Sequence, residues 1–190
     1  MDAMTIPEAW YVQDRTLTVE DMENMPDDEF RYELDDGILI VSPAPSRLHQ
    51  LAVTRLTVLL TAVCPAELIV LAGGGVNISR VQHRVPDVAV VRAGSFDTFF
   101  EETPPALVVE VASPRTRLYD RNRKKDIYEG FGIPAYWIIE PDMDHPELIV
   151  FELRSGAYKQ TAFITGDEEY RAEIPFPVTI TPSQLVSLPR

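Results

Sequence analysis

Apolar positions along this chain keep two different spacings, and the change from one to the other marks out its elements. Val85 to Val91 and Leu107 to Ala112 are valine-dense runs, too short for helices and apolar on both faces, as central strands are. Ala135 to Glu140 reads the same way. Between 46 and 63 the spacing is helical: Leu48, Leu51, Ala52, Leu56, Leu59, Leu60 and Val63 share one face, and Pro65 stops the run. A second helix is expected over about 117–130, ended by Gly130-Phe131-Gly132. Thr18 is placed to cap a short helix, with Asp21 in its first turn and Val19, Met22 and Met25 as its apolar stripe. Phe30 to Leu34 and Ile38 to Val41 flank the turn Asp35-Asp36-Gly37 as a hairpin. Strands are expected at about 67–72 and 76–80, and from Leu148 the chain reads as a meander of hairpins around Ser155-Gly156 and Gly166-Asp167. Residues 1–17 show little periodicity and are expected as an N-terminal arm. The remainder, 18–190, reads as a single mixed α/β (α+β) domain with additional β-hairpins.

Composition narrows the class. At 190 residues the chain is long enough for a full core, and no apolar run approaches the roughly 20 residues that span a bilayer. Neither a basic n-region nor an apolar h-region opens it, and the one cysteine, Cys64, reads as core, so a cytoplasmic setting is expected. The net charge of −13 argues against a protein that coats nucleic acid or anionic membrane non-specifically. The basic residues are unevenly placed, however: Arg115, Arg117, Arg121, Arg123, Lys124 and Lys125 put six of 17 within 11 positions. Such a run is either a solvated helix face or a patch that meets phosphates.

The chemistry centres on Glu110, a carboxylate inside the apolar run 106–112. Buried and unpaired, it costs several kcal/mol or stays protonated. A buried arginine such as Arg84 or Arg92 is one possible partner, and a divalent cation shared with Asp87 is the other. Strand alternation puts Val108, Glu110 and Ala112 on one face, as it does Asp87, Ala89 and Val91. Small Ala89 and Ala112 leave room there for a metal and a phosphate, and Mg²⁺ suits a site of one or two carboxylates completed by water and phosphate oxygens. Gly73-Gly74-Gly75 has no Lys-Ser/Thr after it and reads as a turn rather than a phosphate loop. His49 and His83 are isolated histidines, each expected in a satisfied structural role.

Pro86-Asp87 followed by Glu110-Val111-Ala112 resembles the P-D…(D/E)-x-K signature of the nuclease superfamily named after it. Around it, in order, stand Tyr32-Glu33-Leu34-Asp35-Asp36-Gly37, His49-Gln50, Pro86 to Val91, Val108 to Pro114, Asp120-x-x-x-Lys124-x-x-x-Tyr128 and Gly132-Ile-Pro-Ala-Tyr136-Trp137-Ile138. Together they are similar to the bacterial Uma-type restriction endonuclease family, from about 18 to 185. The resemblance implies a restriction-endonuclease-like fold, a mixed sheet flanked by helices. It also implies Mg²⁺ or Mn²⁺ on Asp87 and Glu110, with Glu33 as a third acid and DNA as substrate. The superfamily lysine belongs two residues after the glutamate, where this chain has Ala112. The resemblance moves the basic group to Lys124 on the following helix.

Two functions are therefore expected in competition: a metal-dependent DNA endonuclease, homodimeric because two strands need two sites, or a nuclease-fold protein acting only as a binding or accessory module. Asp120, Lys124 and Tyr128, four residues apart, are expected to face the sheet. Lys125 and Arg121 are expected nearer solvent. Lys124→Met is expected to end cleavage with folding nearly intact.

Overall fold

The computed structural model describes residues 16–22, 25, 30–95, 103–113 and 116–188. The expected arm at 1–17 lies outside these except for Thr16 and Leu17. Leu17 is buried beside Val19 and Leu34. The elements run α1 (Val19–Met22), β1 (Arg31–Asp35), β2 (Ile38–Ser42), α2 (Arg47–Val63), β3 (Leu68–Ala72), β4 (Val76–Ser79), β5 (Gln82–Arg84), β6 (Val88–Arg92) and β7 (Leu107–Val111). A continuous helix α3 follows over 117–131, built of Arg117–Tyr119, a π-helical stretch Asp120–Lys124, and Lys125–Phe131. Then come β8 (Ala135–Glu140), β9 (Glu147–Arg154), β10 (Ala157–Thr165), β11 (Tyr170–Ala172), β12 (Val178–Ile180) and α4 (Pro182–Val186).

Six strands form the main sheet, in the order β10-β9-β8-β7-β6-β3. The pairing of β7 with β8 is parallel and the other pairings are antiparallel, so the sheet is mixed. A parallel pair needs a crossover, and α3 supplies it. Strands β6, β7 and β8 are buried on both faces, which is why their sequences do not alternate. On one face, Val88, Val90, Val109 and Val111 pack with Ala52, Leu56 and Leu60 of α2 and with β12 and α4. On the other, Val108, Ala112, Tyr136 and Ile138 pack with Tyr128 of α3. A second sheet, β2-β1-β5-β4, is antiparallel throughout.

Several ends follow from local chemistry. Thr18 N and Oγ1 both donate to Asp21 Oδ2, at 2.8 and 3.0 Å, which caps α1 as expected. Ser46 Oγ accepts the His49 amide and opens α2. Gly132, at φ 86°, closes α3 in the left-handed conformation that glycine adopts without strain. The β1–β2 turn holds Asp36 and Gly37 at φ 51° and 76°, as a two-residue hairpin requires. The tail keeps the expected hairpin around Ser155-Gly156, formed by β9 and β10, but departs from a simple meander where β11 pairs with β12 in a separate sheet and α4 follows. Pro182 at the first turn and buried Leu185 and Val186 explain that helix, which is too short for periodicity to reveal. No helix among the described residues is long and apolar enough to cross a membrane.

Candidate active site

The register of β6 on β7 pairs Val88 with Val109 and Ala89 with Val108. One step further along it, Asp87 stands across from Glu110, and directly opposed residues project from the same face. The Val111 amide closes the geometry by donating to Asp87 Oδ2 at 2.7 Å. The sequence places each acid in or beside a strand-like run, and the register sets them side by side. Both are buried, at 5% and 2% exposure.

Helix α3 lies over this face. Its π-helical stretch makes the turn wide at 120–124, a form common at functional sites. Asp120, Lys124 and Tyr128 are buried, so the four-residue stripe faces the sheet. Lys124 Nζ lies 2.9 Å from Glu110 Oε1, 3.6 Å from Glu33 Oε1 and 3.8 Å from Asp120 Oδ1. Tyr128 OH donates to the same Glu110 oxygen at 2.7 Å. Glu110 therefore pairs with Lys124, not with the arginines considered from sequence: Arg84 lies against Asp35 at 3.0 Å. An ammonium enclosed by three carboxyls also changes the expectation that Lys124→Met folds normally.

Glu33 projects from β1, where its Oε1 accepts the Val85 amide at 2.9 Å. It lines a smaller adjoining cavity shared with Lys124 and Asp120. Asp120 lines both that cavity and the principal one. The larger of these two cavities at the site, of about 440 Å³, is lined by Asp87, Glu110, Lys124 and Asp120 and by the Ser42–Ser46 segment.

Two further residues reach Asp87. Arg31 Nη1 lies 2.8 Å from Oδ1, and His49 Nε2 lies 3.0 Å from Oδ2. Both line the principal cavity. Sequence reasoning left Arg31 out and gave His49 a satisfied structural role. Instead, His49 Nδ1 is buried without a hydrogen-bond partner among the described residues. A signal for each was present: Arg31 alternates with Glu33 on β1, and His49 shares a helical face with Ala52 and Leu56. His83 does turn away from the site, its Nδ1 facing Asn77 Oδ1. Cys64 is half-buried against the core.

Charge is unevenly balanced here. Burial works to raise the Asp87 pKa, but His49, Arg31 and Lys124 prevail and bring it down to about 2. Burial, reinforced by Asp87, Asp120 and Glu33, pushes Glu110 up to about 8 despite Lys124. Burial opposes the Lys124 ammonium, yet the carboxyls of Glu110, Glu33 and Asp120 hold its pKa above the ordinary lysine value. Four acids thus crowd around too few cations, with hard oxygen donors. No three His, Cys, Asp or Glu side chains among the described residues are grouped as a ready metal cage. Mg²⁺ does not need one, because it binds through one or two carboxylates and keeps its waters. The donor set and the charge excess fit such an ion at Asp87 and Glu110.

Of the basic run, Arg115 lies outside the described residues; the other five are not a uniformly solvated face, since the part-exposed arginines are ion-paired. Arg117 and Arg121 both pair with buried Glu140. Arg123 pairs with Asp35 and Asp36. Lys124 is internal, and Lys125 lies 5.7 Å over the Phe151 ring at 27% side-chain exposure.

A mixed sheet with a helix crossing over a buried acid pair is the architecture expected of a restriction-endonuclease-like fold. Its fold is similar to the crystal structure of a "putative nuclease belonging to DUF820" from Anabaena variabilis, with a TM-score of 0.70 over 90% of this chain and 97% of that one. Sequence identity is 16%, so the likeness is one of fold. Residues 19–185 match the model of the Uma2 family, described as "Putative restriction endonuclease", and the chain belongs to that family. No curated protein matches the sequence.

Proposed function

We propose that this chain is a Mg²⁺- or Mn²⁺-dependent endonuclease that hydrolyses phosphodiester bonds in DNA, working in the cytoplasm with 18–190 as one catalytic unit. The observation that carries this reading is the Lys124 ammonium, 2.9 Å from Glu110, in the cavity that Glu110 shares with Asp87. Asp87 and Glu110 would hold the metal, and a metal there would supply a water of lowered pKa and offset negative charge on the phosphate. Lys124 orients the attacking water or supports the pentacovalent phosphate from the helix side. Glu33 is the third acid and keeps the Lys124 side chain aimed between strands β1 and β7.

Isothermal titration with Mn²⁺ is the direct test. Wild type is expected to bind one ion per chain and Glu110→Ala to bind at least about tenfold more weakly, with loss of plasmid nicking in Mg²⁺ or Mn²⁺. Equal Mn²⁺ affinity in the two proteins would sink the reading.

One observation favours the alternative, a nuclease-fold accessory protein. The basic run is occupied by internal acids, so a chain of net charge −13 offers few cations to a long phosphate backbone. Metal binding without nicking of any duplex or single strand would select that reading.

The enzyme reading also proposes a homodimer, with the arm at 1–17 and the tail hairpins as contact surfaces. Phe163 on β10 and Ile174 beyond β11 expose apolar area there. Sedimentation at micromolar concentration is expected to give a two-chain species. A monomer alone would rule out a stable dimer in the absence of DNA.

A further inference from the structure

We propose that Arg31 is the residue that grips the substrate phosphate, and that in the metal-free protein it is held in reserve on Asp87. The inference rests on the nuclease reading and adds to it a substrate-binding residue and the order in which the site fills. Arg31 opens β1 on the smaller sheet and crosses to the carboxylate that precedes β6 on the larger one, with Nη1 2.8 Å from Asp87 Oδ1 and 3.2 Å from the Val85 carbonyl. Its side chain is 29% exposed while its partner is 5% exposed. The guanidinium thus stands at the mouth of the site with the acid behind it. It is the only arginine lining the principal cavity among the described residues. The arginines of α3 that pair with Glu140 and Asp35 do not line it.

Both Asp87 oxygens are already engaged, Oδ1 by Arg31 and Oδ2 by His49 and the Val111 amide, so a divalent ion would have to compete with a group that holds one of them. Arg31, on Oδ1 at the cavity mouth, would be repelled by a divalent ion held at Asp87. The guanidinium would remain tethered at the cavity mouth, where a metal-held phosphodiester would present its second non-bridging oxygen. Arginine can donate to that oxygen as a charge-assisted hydrogen bond. The Asp87–Arg31 pair therefore acts as an internal counter-ion that makes metal binding weaker and substrate binding metal-dependent.

Arg31→Met separates these effects because they have opposite signs. Mn²⁺ titration is expected to show about tenfold tighter binding than wild type, since a competing cation is gone. A fluorescent 20-base-pair duplex, titrated in Ca²⁺, is expected to bind about tenfold more weakly. Its slope of log affinity against log salt should be shallower by about one. Arg31→Lys, which keeps the charge, should restore most of the slope. Circular dichroism melting checks that each variant is folded; should Arg31→Met not fold, Arg31→Gln serves in the same two titrations. Weaker or unchanged Mn²⁺ binding, or an unchanged DNA slope, with wild type binding both ligands, overturns the role of Arg31 and leaves the nuclease reading standing. Wild type that binds Mn²⁺ but no duplex at low salt overturns both.

Discussion

Lys124→Met is expected to lower metal-dependent cleavage by about 10²- to 10³-fold, the loss typical of removing one group aimed at developing charge. It is also expected to lower stability. The ammonium sits among Glu110, Glu33 and Asp120 at 2.9, 3.6 and 3.8 Å, all within a buried site. Breaking such a cluster from one side leaves uncompensated charge and typically costs about 3–5 kcal/mol. Protonation of Glu110, whose pKa already stands at about 8, offsets part of this. Urea unfolding followed by nicking assays below the unfolding midpoint separates the two effects. The neighbouring Lys125→Met supplies the control. Its ammonium lies over Phe151, a contact worth about 0.5–1 kcal/mol, so it should unfold slightly earlier and cut as wild type does. A folded Lys124→Met protein that nicks plasmid at the wild-type rate would end the case for a lysine supplied from α3.

The second large effect is away from the chemistry, at Asp35. This carboxylate accepts Arg123 Nη2 at 2.6 Å and Tyr119 OH at 2.9 Å, both from α3. It also faces Arg84 Nη2 at 3.0 Å. Arg84 is fully buried, and its guanidinium makes no hydrogen bond among the described residues, so Asp35 is the charge that balances it. The group clasps the small sheet to α3 and so sets where Glu33 and Arg31 stand relative to Lys124. Asp35→Ala is expected to cost about 3–5 kcal/mol in urea unfolding at pH 7, because it strands the buried guanidinium. Although burial opposes ionisation, Arg123, Tyr119 and Arg84 hold the Asp35 carboxyl well below the usual aspartate range. A carboxyl with a depressed folded pKa contributes its stability above the unfolded value, near 3.9, and loses it as pH falls below that. The stability difference between wild type and Asp35→Asn should therefore be full at pH 7 and narrow progressively below about pH 4. A difference unchanged between pH 7 and pH 3 would show that Asp35 acts by packing and not by charge.

What the sequence by itself determined is the part governed by local rules. Apolar runs with no alternation mark β6, β7 and β8, valine-dense in the first two, because a strand covered on both faces has no polar side. The stripe of Leu48 to Val63 and the stop at Pro65 mark α2, and Gly132 marks the end of α3. The same order of motifs carried the family, and Glu110 was conspicuous because a carboxylate in such a run needs a partner. Tertiary structure decided what that partner is. Asp87 meets Glu110 through the β6–β7 register, which no spacing along the chain encodes. Lys124 meets Glu110 and Glu33 only once α3 lies across the sheet. The basic run read as a possible phosphate patch because its acids, Glu140, Asp35 and Asp36, come from other elements and close on it only in the fold. Arg31 and His49 were missed for the same reason: an arginine on a hairpin and a histidine on a helix acquire their chemistry from Asp87, 56 and 38 residues away along the chain. Secondary structure follows from short-range sterics and burial periodicity, whereas a site of opposed charges is a long-range electrostatic arrangement that exists only when the layers are packed.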